Sequence, residues 1–295
     1  MDTKNDGIYG ALIDQLDKLA RHNRQGSFRT KDRYYEAMKR FCRYLADEYH
    51  LQKLSNISGK HLTAYVLKLQ STGKSASTIK TDLSAIRFFH DKMDAKYLLP
   101  SNAGFTVPLE RRRFGEEDRA WSSQEFFAFC EMCGQKGRPE YAAIAAISYY
   151  AGLRIHECFR LDTAAAEAAI RTGVLTVKGK GGRIRSVPIG PVVADVLRLW
   201  KASTPRGHKL FVPDGMPTDQ AIEQLQQFII AVRPVVSDRP ITHHGLRHSY
   251  AVRQYQELMA AGSSEQGAFL RVSNLLGHGR PEITKIYLAG IMTKQ

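Results

Sequence analysis

The stretch "VLTVKGKGGRIRSVPI", Val174 to Ile189, is the one part of this 295-residue chain that reads as β-structure. Two β-rich runs flank Gly179-Lys180-Gly181-Gly182, a hairpin signature. Elsewhere apolar residues return at three- and four-residue spacing, the period of a helix with one buried face. The expected fold class is therefore mainly α with a small β-hairpin: an all-α N-terminal region followed by an α+β domain.

The boundaries follow from where that period breaks. Residues 8–98 read as four helices, with Tyr34, Met38, Phe41, Tyr44 and Leu45 marking the second and Ile79, Leu83, Ile86 and Phe89 the fourth. Residues 99–120, with two prolines, two glycines and a charge cluster, read as a linker. The domains are thus expected at 1–98 and 121–295. The second opens on a capping box, Ser122-x-x-Glu125, and continues through "PEYAAIAAISYYAG" to a glycine stop at Gly152. A short helix, "LRIHECFRL", precedes the hairpin, and helical patterns follow it near 191–202, 218–232, 243–261, 265–276 and 281–289.

Charge narrows the partner. The chain holds 43 Lys+Arg against 29 Asp+Glu, a net of +14. Residues 1–120 carry 22 basic and 15 acidic side chains, so half of the surplus lies in each part of the chain and none is concentrated in a tail. Such a distribution suits a polyanion gripped along the whole protein. No apolar run approaches the ~20 residues of a membrane span, and "MDTKNDGIYG" lacks a signal layout. The expected location is the cytoplasm, with the nucleoid. Of the four cysteines, Cys130 and Cys133 form a lone pair without the second pair a zinc site needs, and are read as free thiols.

A handful of residues could carry chemistry. Arg154 follows a glycine stop in an apolar setting. His244 and Arg247 are three apart and share a helix face. Lys180 lies in the glycine-rich hairpin turn, and His278 and Tyr287 lie near the end of the sequence. His244 and His248 are four apart but lack the glutamate of a zinc-helix motif, and "KGKGGR" sits between strands where a phosphate loop would run into a helix. Taken singly, each residue could be an ordinary surface or core side chain. Together, two arginines, a lysine and two histidines around a tyrosine suit a phosphodiester. Guanidinium forks hold its non-bridging oxygens. A phenol attacks if a neighbour takes its proton, and a lysine can protonate the leaving alkoxide. No metal or other cofactor is required.

The order "AGLRIHE … VKGKGGRIRSVPI … HHGLRHSYA … LLGHGRPEITKIYL" closely resembles the tyrosine recombinase (phage integrase) family over about 140–290. "SASTIKTDLSAIRFFH" resembles the last helix of that family's SAM-like, core-binding N-terminal domain. The resemblance places the family's catalytic arginines on Arg154 and Arg247, an accessory acid on Glu157, the hairpin lysine on Lys180, the histidines on His244 and His278, and the nucleophile on Tyr287. It implies a site-specific DNA recombinase, an integrase of a mobile element or prophage, working through a 3′-phosphotyrosine and a Holliday junction. The expected partners are duplex DNA, a homotetramer on that DNA, and accessory directionality proteins. The two domains would close on the duplex as a clamp. A type IB topoisomerase and a non-catalytic DNA-binding regulator are the competing readings.

Phosphate contacts are expected from Arg29, Lys31, Arg33, Lys39, Arg40 and Arg43 on the second helix, and from Lys74, Lys80 and Arg87 at the fourth. The aromatic residues of that region are expected in its core. Three stretches depart from the family pattern: the Ala-rich "AAAEAAIRTG" at 164–173, the polar "AAGSSEQGAF" at 260–269, and the short "LAGIMTKQ" after Tyr287. The polar stretch is expected as a loop beside the site or a partner contact; the tail is expected to make a short contact with a neighbouring protomer, or else another element does that work.

Overall fold

The computed structural model describes residues 3–21, 28–105, 107–110, 117–179, 182, 184–278 and 282–292. It divides into two compact units, Met1–Arg113 and Phe114–Gln295.

The first unit is built on α1 (Thr3–Arg21), α2 (Phe28–Tyr49), α3 (Gly59–Ser71) and α4 (Ala76–His90). The periodic residues face inward. Leu12, Leu16, Met38, Phe41, Leu45, Leu62, Val66, Leu83 and Ile86 are buried together. Each such side chain contributes roughly 1.5–3 kcal/mol of transfer free energy. Phe41, Tyr44 and Tyr65 form a ring cluster with centroids 4.9–6.2 Å apart, so these aromatics belong to the core. One carboxylate is taken inside. Asp82 is buried on α4 and accepts from Arg40 at 2.8 Å and from the Tyr65 hydroxyl at 3.3 Å.

The segment 99–120 is tied down at both ends. Leu99, Phe105 and Leu109 pack on the first unit's core. Arg87 donates to the Pro100 carbonyl at 3.0 and 2.7 Å, and Lys80 to the Glu110 carbonyl at 2.6 Å. From Asp118 the chain belongs to the second unit: Arg239 donates to the carbonyls of Asp118 and Ala120. Residues 111–116, between the two anchors, lie outside the described residues.

The second unit opens with α5 (Ser123–Gln135), whose capping box forms as the sequence suggests. Ser122 Oγ accepts from Glu125 N at 3.1 Å and Glu125 Oε2 from Ser122 N at 2.7 Å. The next helix, α6 (Pro139–Ala151), has almost no polar face, and Tyr141 and Ala143–Tyr149 are buried. A helix apolar all round becomes the centre of its unit; α6 packs on α5, on α9 (Pro191–Ser203) and on α11 (His243–Ala260). Between α6 and α9 come the single-turn α7 (Ile155–Cys158), α8 (Thr163–Thr172) and the hairpin. The Ala-rich stretch is α8. Asp162 caps it, and Ala166 and Ala169 are fully buried, where short side chains let the helix lie close against α9 and the hairpin.

Strands β1 (Val174–Lys178) and β2 (Ile184–Pro188) pair antiparallel, with Leu175 opposite Val187 and Val177 opposite Arg185. After α9 and α10 (Thr218–Val236), α11 is followed by α12 (Glu265–Leu276), α13 (Glu282–Tyr287) and α14 (Ala289–Met292). The polar stretch 260–269 is no long loop. The chain turns through Gly262, and Ser264 Oγ accepts from Gly267 N to start α12. The tail also finds its place within its own unit: Leu288 is fully buried and Ile291 packs on the same core. Among the described residues of the tail, these apolar side chains pack within their own unit.

Candidate active site

Two glycine stops build the site. Gly152 ends α6 at φ 65°, in the left-handed region that favours glycine, and turns the chain so that Arg154 begins α7. Gly277 ends α12 at φ 62° and releases His278. Between these turns runs α11. Its residues 244, 247 and 248 share one face, while His243 points the other way, its Nε2 3.2 Å from Ser148 Oγ.

Arg247 is fully buried and donates to the carbonyls of Gly152 and Leu276, so one guanidinium joins both turns. Its Nε has no partner among the described residues. Burial, reinforced by Arg154, lowers its pKa to about 10, which leaves it cationic at neutral pH. Arg154 is partly exposed and held by Glu157: its backbone N–H donates to Oε2 at 2.8 Å and its Nη1 to Oε1 at 3.0 Å. Burial pushes the Glu157 carboxyl up, but hydrogen bonds from Arg185 and from the Arg154 backbone outweigh it and hold the pKa at about 2. Glu157 is thus a fixed anion rather than a proton donor.

Tyr287, at the end of α13, is buried among three imidazoles and Arg247. Its ring stacks on His248 at 4.2 Å and 16° and stands 4.7 Å from the His278 ring. Its hydroxyl lies 3.0 Å from His244 Nε2, and the Arg247 guanidinium carbon is 5.8 Å from its ring centroid. His278 is oriented by Thr284, whose Oγ1 is 2.9 Å from Nδ1, and its Nε2 is buried without a partner among the described residues. Burial lowers all three imidazoles: His244 to about 4, with Arg247 and Arg154 adding to the effect, and His248 and His278 to about 3. Neutral at pH 7, His244 can accept the phenolic proton at Nε2. Beside the phenol stand two arginines and an imidazole nitrogen with unused hydrogen-bonding capacity, an arrangement suited to a phosphate ester. A groove lined by Arg154, Ile155, Gln226, Gln227, Arg233 and His244 runs up to it.

Of the residues singled out from sequence, Arg154, Glu157, His244, Arg247, His278 and Tyr287 therefore converge. Lys180 lies outside the described residues; the strands that flank it end at Lys178 and resume at Ile184. Sequence reasoning passed over Arg185 and Thr284, and weighed His248 only as a zinc ligand. His248 was readable one turn after His244. Arg185 was readable from strand alternation, which puts it on the buried face of Val187.

The N-terminal basic residues divide by how far they are already engaged. Arg87 is bonded to Pro100 and Asn102, Lys80 to Glu110, Arg40 to Asp82, and Arg43 to Asp6. Arg33 reaches Thr81 at 3.3 Å, and Lys39 stands 3.7 Å from Glu36 on the surface. Lys31 and Lys74 have no side-chain partner among the described residues. The Arg29 side chain lies outside them.

Comparison with known proteins gives consistent matches. Residues 13–95 match the family model "Phage integrase, N-terminal SAM-like domain", and residues 122–293 match "Phage integrase family". Tyrosine recombinase XerD of Halalkalibacterium halodurans is 25% identical over 272 residues, 86% of this chain and 84% of that protein. Tyrosine recombinase XerC of Mycobacterium tuberculosis is 27% identical over 293 residues, 94% of this chain and 93% of that protein. Among solved structures, the Tn1549 transposon integrase in complex with transposon right end DNA shares the fold, with TM-score 0.63 at 16% identity over 95% of this chain and 94% of that one. No helix among the described residues is long and apolar enough to cross a membrane.

Proposed function

This chain belongs to the phage integrase family and is a tyrosine recombinase, a site-specific DNA recombination enzyme, and from that premise we propose that Tyr287 is its nucleophile. The observation that carries the proposal is the 3.0 Å approach of the Tyr287 hydroxyl to His244 Nε2 beside the buried Arg247. Tyr287 Oη attacks the scissile phosphorus while His244 takes its proton. The Oη–P bond forms, the P–O5′ bond breaks, and the leaving oxygen takes a proton from a general acid, a role assigned to Lys180 by resemblance. The DNA is left with a 3′-phosphotyrosine and a free 5′-hydroxyl. The ester bond keeps its energy, so attack by a 5′-hydroxyl reverses the step and rejoins the strand.

Arg154 and Arg247 hold the non-bridging oxygens, and His278 adds a hydrogen bond through Nε2. Such donors act on charge that grows in the transition state, and losing one costs on the order of 10²–10³ in rate. Glu157 orients Arg154. The DNA partner is supported by the family and by the basic surplus of both parts of the chain. Of the N-terminal cations singled out from sequence, Arg33, Lys39, Lys31 and Lys74 are the least engaged elsewhere, and so the best placed of that set for phosphates. Strand exchange through a Holliday junction within a tetramer, and control by accessory proteins, follow from the same reading, as does a role in moving a mobile element.

The test uses a duplex nicked close to the cleavage site, so that the short 5′ fragment diffuses away and the covalent complex is trapped. Wild type forms that complex and Tyr287→Phe binds DNA without forming it. A covalent complex that survives Tyr287→Phe refutes the assignment. Joining of paired sites, as opposed to relaxation of supercoiled DNA alone, distinguishes recombination from topoisomerase action.

A further inference from the structure

One buried cation has no part in the chemistry above. Arg185 stands on β2 with 8% of its side chain exposed. We propose that Arg185 is a positioning residue for strand cleavage: it clamps Glu157, and through it Arg154, to the turn that carries His278. The inference rests on the function proposed above.

The guanidinium is used on three sides. Nη1 and Nη2 donate to the two oxygens of Glu157, each at 2.7 Å, and Nε donates to the Leu275 carbonyl at 3.2 Å. Only a planar fork can serve a carboxylate and a carbonyl together; a lysine offers one point charge. The same Glu157 oxygens accept from the backbone and side chain of Arg154. Leu275 precedes Leu276, whose carbonyl Arg247 holds. Adjacent carbonyls at the end of α12 are thus held by two different arginines, one tied to α7 and the other to the turn after α6. Gly277 completes the fit: a Cβ there would stand 2.8 Å from Arg185 Cδ. The phosphate site has Arg154 on one side and His278 on the other, and Arg185 sets the spacing between them. Its donors already face protein groups, which separates this role from direct phosphate binding.

The clamp keeps Glu157 ionised. The groups facing that carboxyl are Arg154, Arg185, Arg247, His156 and Cys158. Removing Arg185 leaves burial opposed by Arg154 alone and so moves the carboxyl up, and a protonated Glu157 accepts less well from Arg154.

Removing one partner of a buried pair also destabilises, so the test must separate position from stability. Nicked duplexes would be selected from a random pool by binding to full-length Tyr287→Phe protein. Single-turnover covalent trapping, duplex affinity and melting temperature would then be measured for wild type, Arg185→Lys, Arg185→Met and the pair Arg185→Met with Glu157→Gln. Arg185→Lys should slow trapping by about 100-fold, the scale of an ångström's misplacement, with affinity unchanged. The double variant should regain melting temperature without regaining rate. Arg185→Met should lose rate as pH falls through the range in which wild type is flat. Trapping at the wild-type rate in Arg185→Lys, or rate recovered with stability in the double variant, overturns the inference. If wild type itself traps no DNA, the nucleophile assignment fails instead. The clamp is then judged on free protein by ¹³C titration of Glu157, and an unchanged titration in Arg185→Met overturns it.

Discussion

Gly152 and Gly173 are alike in backbone and unlike in surroundings, and that pair gives the sharpest stability test. Both end a helix in the left-handed region, at φ 65° and 69°, and both donate back to the carbonyl four residues earlier, at 3.0 and 2.9 Å. An alanine at either position costs about 1–2 kcal/mol for the left-handed conformation. At Gly173 nothing lies within 4 Å of an added Cβ, so that is the whole cost. At Gly152 the Cβ would stand 2.8 Å from Tyr250 Cε1 and closer still to Cδ1, with the ring itself buried. Displacing a packed ring adds about 1–3 kcal/mol, for a total of about 2–5 kcal/mol. In a unit of this size 1 kcal/mol moves the melting temperature by about 2–4 °C. Gly173→Ala should therefore lower it by about 2–8 °C and Gly152→Ala by about 4–20 °C, read by calorimetry and checked by urea midpoints. Gly152→Ala should also lower the covalent trapping rate, because the carbonyl that receives Arg247 shifts with the turn. Equal losses at the two glycines would show that Tyr250 exerts no packing constraint and would refute the reasoning.

Acid should destabilise the second unit in two overlapping windows. His243, His248 and His278 are held by burial near 3, below their ordinary 6.5, so the unfolded chain takes up protons first and stability falls as pH drops below about 6.5. Glu157 and Glu125 are held near 2 against burial, by Arg185 and Arg239 respectively; each contributes up to about 3 kcal/mol that is present above pH 4.5 and lost as pH falls toward 2. Urea midpoints flat from pH 7 to 3 would contradict both. His244→Gln should cut covalent trapping by about 10²–10⁴. Wild-type trapping should show no histidine limb between about pH 5 and 8, because His244 is held near 4; a limb near 6.5 would remove His244 as the proton acceptor.

What the sequence made legible was local. The helices of the first unit, the hairpin, the Ser122–Glu125 box and the Gly152 stop are all written within a few neighbouring residues, and each forms as expected. The convergence of Arg154, His244, Arg247 and Tyr287 became legible through the order of motifs, since spacing alone leaves each an ordinary side chain. Long-range partners stayed hidden. Nothing in the second helix says that Arg43 will meet Asp6 or that Arg40 will meet Asp82, and nothing near Arg87 announces the Pro100 carbonyl. Two readings competed at 260–269, where polar residues suggested a loop and the pattern from 265 a helix, and the helix forms. One serine cap and a buried face through Ala268, Val272 and Leu276 are enough to make it a helix.

The burial of Leu288 gives the covalent intermediate a mechanical character. The residue on which DNA would be carried is followed at once by a side chain sunk in its own unit, and preceded by Thr284, which is buried and set against His278. A strand esterified to Tyr287 would therefore not be held on a loose arm. Tension along that strand would pass into the packing around Leu288 and Thr284, and swinging the bond away would mean drawing Leu288 from the core. With the protein-bound end braced in this way, the freed 5′ end would be the moving part, and exchange would become a matter of how far that end can travel.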